Sequence, residues 1–440
     1  MKFKKLASGS VSLMLTAALI GCGSSGAPTE KGGASPGGAE PGDKPFEGVT
    51  LRVLTANHPW TEAVKELVPE FEEETGIKVN MEQFFEDQLS QKLTVELTSG
   101  TSSLDIFMIR PLQEAKLYMR NGWLADLSEY AQDEEWDLAD YSESSIAPLT
   151  GGEGLYGIPL ITEREILYYR KDIFAENNLK APETLDELRA AAEQLNDPAN
   201  DFYGFVARGQ RSPAVTQFSS FLYSSGGDFL QDGKATLDTP EAIEAFKLYG
   251  DLLREYGPPG VLNMSWPQAM GVFVQGKVAM FTDADSVYPN MLDPEKSAIP
   301  VENIGFALFP AGSGGQKPTN VTAWGLAISS KSKQQEAAWE FVKWVTNKEN
   351  SLIIQSKGNP GARQSVWDDP EGNAAFPDEL AEVMNKSQQI GVGHDRPLVI
   401  NVGAARDIVG TIITESISGG DVERVAREEN AKFQDLIDRE

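Results

Sequence analysis

From about residue 46 onward the chain alternates short apolar stretches with longer amphipathic ones, and this rhythm sets its fold class. Residues 49–55 read as a strand, with Val49, Leu51 and Val53 on one face at a period of two. Residues 61–74 read as a helix whose buried stripe is Ala63, Val64, Leu67, Val68 and Phe71; Pro69 is expected to kink it and Gly76 to close it. Strand 77–81, helix 88–97 and strand 104–109 follow. The rhythm returns with strands at 166–169, 278–281 and 304–309, and helices at 183–195, 240–256, 336–346 and from Asp421 on. Alternating strands and helices predict an α/β fold with a mostly parallel sheet covered on both faces. About 400 residues exceed one typical domain, so two large lobes are expected. No repeat of fixed period is present.

The first residues predict export. Lys2, Lys4 and Lys5 precede a stretch of small and apolar residues, 6–20, that is too short to span a membrane and has the plan of a signal peptide over 1–21. The cut region, Leu19-Ile20-Gly21-Cys22, resembles the bacterial lipobox, in which the cysteine takes the lipid. Residues 22–45, rich in Gly, Ser, Pro and Ala, cannot bury apolar surface and read as a flexible tether behind Cys22. No other apolar stretch approaches spanning length.

Composition narrows the chemistry. Cys22 is the only cysteine, which leaves none for a disulfide, a thiolate nucleophile or a zinc site. His58 and His394 are the only histidines, so a His-based triad or multi-His metal centre is poorly supported. No Walker-type loop is present, and no cofactor or metal is expected. With 38 basic and 66 acidic residues the formal net charge is -28, which repels nucleic acid and anionic lipid surfaces.

Several motifs, each weak alone, occur in a telling order. They are Phe71-Glu72-Glu73-Glu74-Thr75-Gly76-Ile77-Lys78-Val79; Leu104-Asp105-Ile106-Phe107; Tyr156-Gly157-Ile158-Pro159-Leu160; and Leu167-Tyr168-Tyr169-Arg170-Lys171-Asp172-Ile173-Phe174. Pro182-Glu183-Thr184-Leu185, Gly226-Gly227-Asp228-Phe229, Leu237-Asp238-Thr239-Pro240, Gly276-Lys277-Val278-Ala279-Met280 and Trp324-Gly325-Leu326-Ala327-Ile328-Ser329 follow. Together they resemble the family 1 extracellular solute-binding proteins, receptors of ABC importers that include maltose and polyol receptors. One departure is Leu185, where the family usually carries Trp. The last hundred residues match only loosely.

The resemblance implies a two-lobe periplasmic-binding-protein-like fold (type II) with hinge strands between the lobes. Lobe one is expected over 46–157 plus 311–370 and lobe two over 158–310 plus 371–440, with hinges near 157–163 and 309–311. It implies a neutral sugar, oligosaccharide or polyol in the interlobe cleft, a permease as partner, a monomer, and a place on the outer face of the cell membrane. The alternative is a secreted glycoside hydrolase using paired carboxylates, which needs the same aromatic and acidic groups.

Candidate ligand contacts lie at strand ends, where α/β sheets present ligands. His58 and Trp60 follow the first strand, Arg110 the third, and Asp283 and Asp285 the strand ending at Phe281. Tyr223 precedes Gly226, and Trp324 precedes the Gly325 that opens a lobe-one strand. The resemblance adds Glu163 as an acid in the crossover and Arg363 in a late cleft loop. Competing readings are structural: core packing for Phe218 and Phe221, turn capping for Asp283 and Asp285, a carboxylate partner for Arg110, and pairing of Glu163 with Arg164 or Arg170.

Overall fold

The computed structural model describes residues 44–100 and 103–440, the Asp87 side chain excepted. The signal, Cys22 and nearly all of the tether lie outside the described residues. The main strands are β1 (Thr50–Ala56), β2 (Lys78–Phe84), β3 (Ile106–Ile109), β4 (Ile158–Arg170), β5 (Tyr203–Val206), β6 (Val278–Ala284), β7 (Ile304–Leu308) and β8 (Asn320–Ile328). They form one path, β2-β1-β3-β8-β4-β6-β5, with β7 also on β4.

The wings of this path are parallel and its centre is antiparallel. β1 pairs in parallel with β2 and β3, and β6 with β5. Around β4 and β8 every pairing is antiparallel. The expected mostly parallel sheet therefore holds only away from the centre. The parallel wings need crossover helices, whereas β4 and β8 pair antiparallel although β5, β6 and β7 lie between them in the chain.

β4 is far longer than the four residues predicted at 166–169. Its first half pairs with β8, Val321 opposite Glu163 and Asn320 opposite Arg164. Its second half pairs with β6 and β7, Ala284 opposite Glu165 and Leu308 opposite Ile166. One strand thus belongs to both lobes, and the change of sheet falls between Arg164 and Glu165.

Each lobe has its own core. In lobe one, α1 (Pro59–Thr75), α2 (Glu86–Ser99) and α3 (Gln335–Val345) cover a sheet, and Leu51, Val53, Phe107 and Leu326 of its strands share a core with Phe71 of α1 and Phe341 of α3. Pro69 sits inside α1, and Gly76 caps it at a φ of 73°. In lobe two the period-two alternation of β4 sends Leu167 to one face and Ile166 and Tyr168 to the other. The Leu167 face packs against Phe218, Phe221 and Phe246, as core packing of both Phe rings predicts, with Phe218 stacked on Phe246 at 4.2 Å.

Phe218, Phe221 and Tyr223 lie on a helix, Ala214–Ser224, not at a strand-to-loop junction. Helices Val402–Ile417 and Val422–Ile437 add Val409 and Phe433 to the same core. A further crossing of the chain falls between Ile354, in the lobe-one core, and Trp367, in a lobe-two core. Among the described residues no helix is long and apolar enough to cross a membrane.

Candidate ligand-binding cleft

The hinge strand presents two neighbouring side chains with different work. Arg164 is buried: its backbone N–H donates to Asp285 Oδ1 and its Nη1 to Oδ2, both at 3.1 Å, and its guanidinium lies 4.8 Å from the Trp367 ring centre. Asp285 is fully buried and raised in pKa by burial, against the pull of Arg164. Arg170 pairs with Asp172. Neither arginine therefore takes Glu163, whose Oε1 accepts a 2.7 Å hydrogen bond from the Ser286 hydroxyl of lobe two. Burial pushes the Glu163 carboxyl up to about 7; Asp285 and Glu86 add to the rise, while Ser286 and Arg208 oppose it.

Lobe two answers with a guanidinium. Arg208, just past the end of β5, donates from Nε to Asp283 Oδ2 at 2.9 Å and from Nη2 to Oδ1. Asp283 also accepts from Gln217 Nε2 at 3.3 Å, and among the described residues the buried Gln217 Oε1 has no hydrogen-bond partner. Behind them, burial drives the Glu165 carboxyl well above its ordinary value. In lobe one, Arg110 bonds Ser90 Oγ at 2.7 Å and approaches Glu114 at 3.3 Å and Glu86 at 3.8 Å. Arg208 feels the charges of both Glu163 and Glu86. Carboxylates and guanidiniums of both lobes thus lie near enough to feel one another's charge.

The aromatic candidates sit deeper. Trp60 is 2 % and Trp324 is 5 % exposed, both within the lobe-one core. Trp324 lies opposite Ile161 at an irregularity in the β8–β4 pairing, and its ring is 6.0 Å from that of His58. His58 caps α1: its Nδ1 accepts from the Trp60 N–H at 3.0 Å, and burial lowers its pKa to about 4. Trp60→Ala is expected to lower stability by roughly 3–5 kcal/mol by opening a cavity, measured as a drop in urea midpoint at constant slope.

Two candidates are held elsewhere. Arg363 is buried within lobe one, donating to the carbonyls of Thr346 and Trp136 and to Asp140, beside the rings of Tyr141 and Trp136. Tyr223 is buried in lobe two, edge-on to Phe229 and to His394. The structure gathers Glu163, Asp283 and Asp285 around the hinge and spends the Arg363 guanidinium within lobe one, while the buried Tyr223 hydroxyl has no hydrogen-bond partner among the described residues.

Sequence reading passed over Glu86, Arg208, Gln217, Arg396 and Arg406. Arg208 was reachable, because it follows the apolar run Tyr203 to Val206 as Arg110 follows Ile109. Arg396 and Arg406 carry no local signal, since neither follows a strand.

The bacterial extracellular solute-binding protein family matches residues 57–351. The erythritol/L-threitol-binding protein of Mycolicibacterium smegmatis is 29% identical over 344 residues, covering 73% of this chain and 72% of that protein. The mannitol-binding protein of Pseudomonas aeruginosa is 27% identical over 329 residues, covering 72% and 74%. An ABC transporter solute-binding protein of Agrobacterium radiobacter K84, solved with ribitol, superposes with a TM-score of 0.79 at 30% identity, covering 89% of this chain and 100% of that one. The shared hinge strand, the two separate cores and a match over most of the chain have one common account: this chain belongs to the bacterial extracellular solute-binding protein family.

Proposed function

We propose that this protein captures a small neutral carbohydrate, and by preference an acyclic polyol, between its lobes and delivers it unchanged to a membrane permease. The observation that carries this reading is the set of charged groups gathered from both lobes around the hinge: Glu163 on Ser286, Arg208 held by the buried Asp283, and Arg110 near Glu86. A hydroxyl both donates and accepts, so a molecule with a hydroxyl on every carbon suits a site that offers both acceptors and donors. A pyranose also needs a flat ring to cover its C–H face, and the two candidate rings, Trp60 and Trp324, are largely committed to the lobe-one core. The similar proteins named above for erythritol or threitol, for mannitol, and solved with ribitol support the same class.

In this reading the lobes close about β4 and about the link between β7 and β8. The protein acts as a monomer, held to the outer face of the membrane by lipid on Cys22. Cys22→Ala is expected to move the protein out of the detergent phase in partitioning; a variant that partitions as wild type rules out the lipid anchor.

The deciding test is calorimetry and thermal shift with erythritol, ribitol, mannitol and maltose. A polyol is expected to raise the melting temperature by mass action and to be recovered chemically intact. No shift with any of the three polyols overturns the polyol reading, and new reducing ends from maltose establish the hydrolase instead.

A further inference from the structure

We propose that Gln113 is a latch: its side-chain carbonyl bridges to two arginines of lobe two and thereby sets how long the lobes stay closed. Gln113 lies in a widened helical turn, Pro111–Ala115, directly after β3 in lobe one. Its Oε1 accepts from Arg396 Nη1 at 3.1 Å and, at a longer 3.5 Å, from Arg406 Nη1. Only an oxygen can face two guanidiniums, so the orientation of the amide is fixed by its partners. Three residues on, Lys116 Nζ donates to the Leu398 carbonyl at 2.8 Å. The chain next to Arg396 and Leu398 belongs to lobe two through Val399 and Val402, whereas Ala115 and Tyr118 belong to the lobe-one core. Beyond these ties the lobes part around a groove of about 670 Å³, with Leu117 and Arg120 on one side and Ile400 and Leu436 on the other. The ties therefore mark an edge at which the lobes touch through polar side chains rather than a packed core. Rotation about β4 pulls them apart.

The charges make the latch tunable. Arg396 holds Asp395 through both Nε and Nη2. Arg406 donates to the Ser212 carbonyl and to Thr216 Oγ1, and among the described residues no carboxylate lies within ion-pair distance of it. Burial, and then the charge of Arg396, push its guanidinium down to about 9, with the Asp395 carboxylate opposing them only in part. A carboxylate at position 113 supplies a counter-charge to this cationic corner in the closed form alone. A methyl group at the same place supplies nothing.

Gln113→Ala and Gln113→Glu therefore act in opposite directions. Two readouts on the full chain test this: stopped-flow dissociation of ribitol, which rests on the polyol reading, and small-angle scattering without ligand, which does not. Gln113→Ala is expected to speed ribitol release about tenfold and to enlarge the ligand-free radius of gyration. Gln113→Glu is expected to slow release several-fold and to shrink that radius. If both variants speed release and ligand-free scattering is unchanged, Gln113 contacts the ligand and the latch is wrong. If neither readout moves, the latch is likewise wrong. If ribitol does not bind at all, the polyol reading loses its probe, and scattering alone decides: opposite shifts support the latch and equal radii overturn it.

Discussion

Replacing Asp285 by Ala is expected to lower the stability of the ligand-free protein by roughly 3–5 kcal/mol, because it strands Arg164 as a buried charge. Arg164 and Asp285 are 1% and 0% exposed at the side chain, and two hydrogen bonds join them. They also join the two lobes locally, since Arg164 ends the half of β4 paired with β8 and Asp285 follows β6. Urea unfolding measures the loss. The double variant Arg164→Met, Asp285→Leu is expected to recover most of it, because replacing a buried pair with apolar groups of similar volume is often close to neutral. A loss below about 1 kcal/mol in the single variant shows that water reaches the pair and that it does not brace the hinge.

Glu163→Gln is expected to weaken binding of the preferred polyol about ten- to hundredfold, the worth of a hydrogen bond to a charged acceptor. The same residue makes the protein pH-sensitive, and the sign follows from its burial. The Glu163 carboxyl titrates near 7 in the folded chain, above its ordinary value, so the folded state holds the proton more tightly than the unfolded state. That stabilisation is full below about 4.5 and is lost as pH rises through 7, a change on the order of 3 kcal/mol. Ligand hydroxyls donate to the ionised form, so polyol affinity is expected to rise over the same window. Calorimetry at pH 5.5 and 8 on wild type and Gln variant checks both effects. Wild-type affinity in the variant removes Glu163 from the site, and a pH-independent affinity in wild type shows that its charge plays no part.

The two lobes were legible because hydrophobic periodicity is local. Leu51 and Val53 in a strand, or Phe71 one turn from Leu67 and Val68 in a helix, declare themselves within a few residues. So β1, α1, β6 and the helix that opens at Pro240 stand within a few residues of where the pattern puts them. β4 was read too short for a physical reason. Its first half is interrupted by Pro159, Glu163 and Arg164, which break the apolar run, yet pairing with β8 keeps it extended. Helices 378–390 and 402–417 were missed in the region where the family resemblance fades.

The candidate site divides in the same way. Sequence by itself determined which residue types stand at expected strand ends, and so it reached Arg110, Asp283, Asp285 and Trp324, while the family resemblance supplied Glu163; the structure then places Glu163 and Trp324 inside β4 and β8. It could not say which of them share a space, because partners such as Arg164 and Asp285 or Arg208 and Asp283 lie 121 and 75 residues apart. Only the tertiary structure decided that Arg363 is spent on carbonyls inside lobe one while Arg208, held by Asp283, feels the charge of Glu163. Only the tertiary structure, again, brought Arg396 and Arg406 from the far end of the chain to Gln113. A strand or helix is chosen by neighbours along the chain, whereas a charge finds its partner, its burial and its pKa only through neighbours in space.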